Sequence, residues 1–167
     1  MAEGKPVRES QTEMTEIVLP NDTNPLGGML GGRLMHLMDI AAAIAGHRHS
    51  RSYMVTASVD HLDFRHPIRM GHIVVLKSSV NRVWNTSMEI GVKVFADNIL
   101  TAERRHCCSA YLTFVALDEQ GNKRQVPQVM PETEEEQRRY RQAEERRQRR
   151  LAHRDRQKQT LTAPAES

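Results

Sequence analysis

The chain has 167 residues, a length that suits one ordinary domain with a short extension rather than several domains. Hydrophobic residues are 38% of the chain and fall mainly between Val18 and Leu117, so a core can form there while both flanks stay polar. The formal net charge of +3 favours an anionic partner without naming it. No apolar run is long enough to span a bilayer, and the opening MAEGKPVRES lacks a signal-peptide core, so no membrane partner is expected. The two cysteines, Cys107 and Cys108, are adjacent, and neighbouring side chains of a strand point to opposite faces. A disulfide between them is not expected, which fits a reducing, cytoplasmic setting.

In chain order, residues 1–11 read as a flexible leader, 12–130 as a single domain, 131–158 as a charged helix and 159–167 as a disordered tail. TEMTEIVLP predicts a short strand closed by Pro20, and NDTNP is turn chemistry. Glycines 27, 28, 31 and 32 give a loop that opens a helix. That helix is apolar almost all round from Leu30 to Ala45, yet Asp39 sits in its middle. Next, MVTASVDHLDF alternates, with Val55, Ala57 and Val59 on one face and Thr56, Ser58 and Asp60 on the other. HIVVLKSSVNRVW and SMEIGVKVFAD are two further strands joined through a tight hairpin at Trp84–Thr86, and HCCSAYLTFVAL is a fourth, turned away by DEQGNKR. An all-round apolar helix needs covering on most sides, so the economical architecture is α+β, a curved antiparallel sheet folded around one central helix.

From Pro131 the composition changes. Thr133 is a candidate N-cap with Glu136 completing a capping box, and acidic residues precede arginines as the helix dipole favours. Glu134–Arg138, Glu135–Arg139 and Glu145–Arg149 are spaced as i,i+4 pairs. Apolar positions are few, chiefly Tyr140, Ala143 and Leu151, so a solvated surface helix is expected.

The histidines at 47, 49, 61 and 66 show no helical i,i+4 metal spacing, and the cysteines lack CxxC spacing, so no metal is expected. GGMLGG matches neither GxxxxGK[ST] nor GxGxxG, and no serine sits in a nucleophile elbow. Asp39 stands apart. A lone charged carboxylate in apolar surroundings costs several kcal/mol at least. Either it lies on a wet edge of the helix, or it pairs with Arg33 or His36, or it belongs to a site.

NPLGGMLGGRLMHLMDIAAAI, TASVDHLDF, the P-I-x-x-G motif, NTSMEIGVKV and the EEEQRRYRQAEERR tail together resemble the acyl-CoA thioester hydrolases of the hotdog-fold family, in particular the cytosolic acyl-CoA hydrolase type. The likeness runs from about Glu13 to about Arg156, with the segments in the family's order. Two departures are His72, where the family usually has an acidic residue after the glycine, and Cys107–Cys108, where polar residues are more common.

The resemblance implies hydrolysis of a fatty acyl-CoA to free acid and CoA, with no cofactor and no metal. It implies Asp39 as general base or nucleophile and Asn24 as the group that orients water or the thioester carbonyl. Gly31 and Gly32 would let the thioester approach the helix start, whose free N–H groups can stabilise an oxyanion. For CoA it implies three regions: Ala57, Ser58 and Val59; Thr86, Ser87 and Met88; and Arg147 with Arg150 near the phosphates. It further implies dimers assembled as trimers of dimers, a hexamer. One rival is a dehydratase on the same fold, which would want a histidine where the helix carries Asp39. The other is a non-enzymatic RNA- or acyl-CoA-binding module. Aromatics at 4% leave few stacking platforms, so no nucleic-acid partner is expected.

Overall fold

Leu30 is extended, and from Gly31 the chain turns into α1 (Gly31–Ser50), which stops where Arg51 enters the left-handed region at φ 52° and returns its N–H to His47 O at 2.9 Å. This computed structural model describes residues 4–162. Buried positions on α1 are Leu34, Leu37, Met38, Ala41, Ala42, Ala45, Gly46, His49 and Ser50, a stripe at i, i+3, i+4 spacing. Leu30 and Met35 remain 44% and 43% exposed, so one chain covers α1 on one side only. The single chain shows the expected curved antiparallel sheet packed on one long helix, and the other side of that helix stays exposed.

That stripe lies against a five-stranded antiparallel sheet ordered β2-β4-β5-β6-β3, with β2 Thr12–Ile17, β3 Tyr53–Val59, β4 Ile73–Val83, β5 Ser87–Asn98 and β6 Glu103–Leu117. Strand period two sends Val74, Leu76, Ile90, Val92, Val94, Leu112 and Phe114 to the α1 side, all at most 2% exposed. Ser78 falls in the same row and donates to Ala41 O at 2.7 Å, which satisfies its buried hydroxyl. Contact is tightest at Gly46. A Cβ there would lie 3.1 Å from Ile90 Cδ1 and 3.3 Å from Met54 Cε, so a methyl group would push helix and sheet apart.

β3 is an edge strand and it is irregular. Thr56 pairs with Phe114 and Ser58 with Thr113, so Ala57 is an extra residue, a β-bulge. Thr56 and Val59 therefore both face α1, and the single alternation expected through Thr56, Ser58 and Asp60 breaks. The strand ends at Val59; the HLDF that follows is loop.

The expected leader is docked along most of its described length. β1 (Lys5–Pro6) pairs in parallel with β7 (Val129–Met130), a 3-10 turn follows at Val7–Glu9, and Val7 and Ser10 are buried. Lys5 Nζ donates to His49 O at 2.9 Å and Ser10 Oγ accepts from Val80 N at 3.0 Å. These anchors hold the segment against the end of α1 and against β4.

α2 (Glu134–Thr162) begins as its sequence predicts: Glu136 N donates to Thr133 Oγ1 at 3.2 Å, and Thr133 N donates back to Glu136 Oε2 at 3.1 Å. Glu135–Arg139 forms among the expected i,i+4 pairs. The helix is not merely solvated, however. Ala143 is fully buried on the outer face of the sheet, and Arg82 lies under the Tyr140 ring at 4.1 Å. Arg146 reaches the completely buried Glu89 at 2.7 Å, and Asn81 Nδ2 adds a 3.1 Å bond to the same carboxylate. Arg150 of the same helix also reaches Glu89, at 3.1 Å, and leaving this buried carboxylate without an arginine would cost about 3–5 kcal/mol, so the pair holds α2 to the sheet. Residues 159–162, expected in the tail, continue the helix, while 163–167 lie outside the described residues.

Candidate active site

Asp39 has neither of the partners its neighbours on α1 offered. Arg33 Nε instead bonds Asp22 Oδ1 at 2.8 Å; the Leu19 N–H foremost, and then this arginine, hold the Asp22 carboxyl below its ordinary range. The Asp39 partner comes from β3: Thr56 Oγ1 donates to Asp39 Oδ1 at 2.6 Å. Sequence reasoning missed Thr56, because alternation grouped it with Ser58 and gave no sign of the bulge.

Asp39 opens onto a cavity of ≈ 280 Å³. Met38, Val59, Leu62 and Leu112 form its apolar wall, while Gly32 and His36 share the polar side with Asp39. A hydrogen-bonded carboxylate at the mouth of an apolar pocket can take a proton from water beside a greasy substrate. A larger recess of ≈ 480 Å³ lies on the outer face between the sheet and α2 and holds none of the residues expected at a site.

Asn24 sits in the loop before α1. Its Oδ1 accepts from Leu26 N at 3.0 Å and Gly28 N at 3.1 Å, which fixes the amide and leaves its Nδ2 hydrogens outward, without a partner among the described residues. At the start of α1 no side chain caps the helix, so the first-turn N–H groups at Gly31 and Gly32 are open to an anionic oxygen. The Phe64 ring packs beside Gly31, 3.4 Å from where a Cβ would stand. Asn24 does not line the Asp39 cavity; of the expected catalytic residues, only Gly32 and Asp39 do.

The expected CoA-binding residues scatter. Val59 lines the cavity, Ala57 is the bulge residue and Ser58 points to the outer face opposite Thr113. Thr86 and Ser87 lie at the β4–β5 turn, and Met88 is completely buried in the core rather than at a surface. Arg147 stacks on the Trp84 ring at 4.4 Å. The Arg150 guanidinium lies between Asp60 Oδ2 at 2.8 Å and Glu89 Oε2 at 3.1 Å, both of them carboxylates rather than solvent. His47 Nδ1 meets Ser52 O at 2.8 Å and His49 Nε2 meets Pro127 O at 2.8 Å, so both serve local structure. Burial pushes both thiols up, Cys108 to about 12, which keeps them protonated and unreactive.

Residues 26–103 match the family model of the thioesterase superfamily. A Bacillus subtilis protein named as an uncharacterized acyl-CoA thioester hydrolase is 45% identical over 129 residues, 77% of this chain and 75% of that one. This chain belongs to the thioesterase superfamily. Its sheet and central helix are the hotdog fold of that superfamily's acyl-CoA hydrolases. A hexameric acyl-CoA thioesterase superposes with a TM-score of 0.88 at 41% identity, covering 90% of this chain and 97% of that one. The acyl-CoA hydrolase of Staphylococcus aureus, solved with butyryl-CoA and CoA, superposes at 0.88 with 38% identity over 97% and 99% of the two chains. That hydrolase has also been solved with an asparagine, an aspartate and a threonine each replaced by alanine. The three positions are 15 and 17 residues apart, the spacings of Asn24, Asp39 and Thr56 in this thioesterase-superfamily chain.

Proposed function

We propose that the protein hydrolyses acyl-CoA thioesters to a free carboxylic acid and CoA. The observation that carries this reading is the Thr56–Asp39 hydrogen bond of 2.6 Å at the mouth of an apolar cavity, on a fold shared with acyl-CoA hydrolases. The acyl chain lies against Met38, Val59 and Leu112, which brings the thioester carbon to Asp39. Asp39 takes a proton from water, the water oxygen attacks that carbon, and the carbon–sulfur bond breaks to release the CoA thiolate. The carbonyl oxygen, negative in the intermediate, is met by the Asn24 amide and the helix-start N–H groups.

Asn24 precedes α1, and Asp39 is eight residues into it, roughly 12 Å along at 1.5 Å per residue. We therefore place the two halves on different subunits, with Asn24 and the glycine loop facing the partner's helix across a two-fold axis. The half-bare α1 and the free edge of β3 are the surfaces such a dimer covers. A trimer of these dimers follows the hexameric relative. The reduced, buried thiols suit the cytoplasm.

The test is thiol release from a panel of acyl-CoA substrates by wild-type protein and Asp39→Ala. Turnover is expected from the wild type and a loss of at least about a hundredfold in the variant. Near-normal turnover by Asp39→Ala would overturn the catalytic assignment.

A further inference from the structure

We propose that Arg150 is a positioning residue of the active site, holding the outgoing end of β3 through Asp60 rather than a CoA phosphate. Asp60 is the first residue beyond β3, and its N–H donates to Tyr111 O at 3.0 Å, extending the ladder one step past the strand. On the outer face its carboxylate receives Arg150 at 2.8 Å, and the same guanidinium binds Glu89 at 3.1 Å. Arg146 completes the group, bidentate to Glu89 and stacked on the Tyr111 ring at 3.6 Å. Two guanidinium groups thus face two carboxylates, and the cluster carries no spare positive charge for a phosphate. Side-chain exposure of 21% for Arg150 and 16% for Asp60 leaves little access for one.

β3 needs such an anchor. It is hydrogen-bonded on one side only, by β6, and its ladder is interrupted by the Ala57 bulge. Beyond the bulge lie Val59, a wall of the cavity, and Asp60; before it lies Thr56, which holds Asp39. Burial raises the Asp60 carboxyl above its ordinary range, with Glu89 adding to the rise and Arg150 and Arg146 opposing it. Removing Arg150 leaves Asp60 to protonate or swing to water, and the strand end is released with it. A displacement of one ångström at a catalytic constellation costs up to about a hundredfold in rate.

This inference rests on the hydrolase reading, and the experiment separates the two. Thiol release is measured from one acyl group carried on CoA and on pantetheine, which has no phosphate, for wild type, Arg150→Gln, Arg150→Lys, Asp60→Asn and the surface control Arg154→Gln. Arg150→Gln and Asp60→Asn are expected to lose about 10- to 100-fold in kcat, equally on both substrates, at temperatures well below unfolding. KM should stay within about twofold, the pattern of misplaced chemistry rather than lost binding. Arg150→Lys, which keeps the charge but not the fork, should recover part of the rate and carries the test if Arg150→Gln fails to fold. Arg154→Gln should match the wild type. A rise in KM confined to the CoA substrate overturns the inference in favour of a phosphate contact. Normal kinetics with a lowered melting temperature overturns it in favour of a purely structural clasp. Wild type that releases no thiol from either substrate removes the hydrolase reading, and this inference with it.

Discussion

Thr56 shows how much one hydroxyl can set. By donating to Oδ1 at 2.6 Å it fixes the rotation of the Asp39 carboxylate and leaves the other oxygen for water. A hydrogen bond to a charged group contributes about 1.5–3 kcal/mol, so Thr56→Val, similar in shape but without the donor, should lose roughly 10- to 100-fold in kcat. KM should hold, and Thr56→Ser should recover most of the rate. Thr56→Val with wild-type kcat would show that the bond is incidental to turnover. Asp39 was legible in the sequence because a carboxylate in an apolar helix is costly. Thr56 was not, since a threonine on an alternating strand looks like any other until the register is known.

At the scale of elements, His49 joins the end of α1 to the strand-forming segment after Val126. Pro127 O can only accept, so His49 Nε2 carries the proton, and Nδ1 is buried without a partner among the described residues. Burial lowers the His49 pKa below its ordinary value; Lys5 lowers it further, while the Pro127 bond and Glu9 oppose the shift. The neutral ring is therefore the folded form. As the pH falls through about 6.5 the unfolded chain takes up a proton first, so stability is complete above that value and is lost as the pH drops toward the lower folded pKa. Melting temperature should fall between pH 7 and 5. His49→Gln, which keeps a donor for Pro127 O, should flatten that fall. An unchanged slope would place the acid sensitivity elsewhere. The clasp that His49 serves was invisible to pattern reading, because two-residue strands such as Lys5–Pro6 have no period. The docked face of α2 was equally hidden. Ala143 and Arg146 meet the sheet through one small residue and one buried charge, whereas hydrophobic periodicity registers only apolar stripes. The start of α2 and the long strands were legible, through Thr133–Glu136 and period-two alternation, whereas its last turn, 159–162, was not.

At the scale of the molecule, the bare side of α1 and the free edge of β3 are open in one chain, and the shared-site proposal sets them against a partner. If Asn24 and Asp39 meet across a dimer axis, Asn24→Ala and Asp39→Ala should each be inactive yet folded and oligomeric. Mixed dimers of the two have one intact site and one doubly damaged site. Equimolar co-refolding should therefore restore about a quarter of wild-type activity, since half the dimers are mixed and half their sites are whole. Mixed dimers that form but stay inactive would return both residues to a single subunit.

Ala57 can be regarded as a shift of reading frame in the strand. By spelling, Thr56 and Asp60 have the same parity and belong together; in the folded chain they stand back to back, one toward Asp39 and the other toward the arginines of α2. Removing Ala57 would restore plain alternation and leave Thr56, Val59 and Asp60 pointing as they do now, while adding one residue that pairs in the ladder would turn Val59 out of the cavity and Asp60 into it. A single inserted letter would then set a second carboxylate opposite Asp39, with mutual repulsion where water must give up its proton.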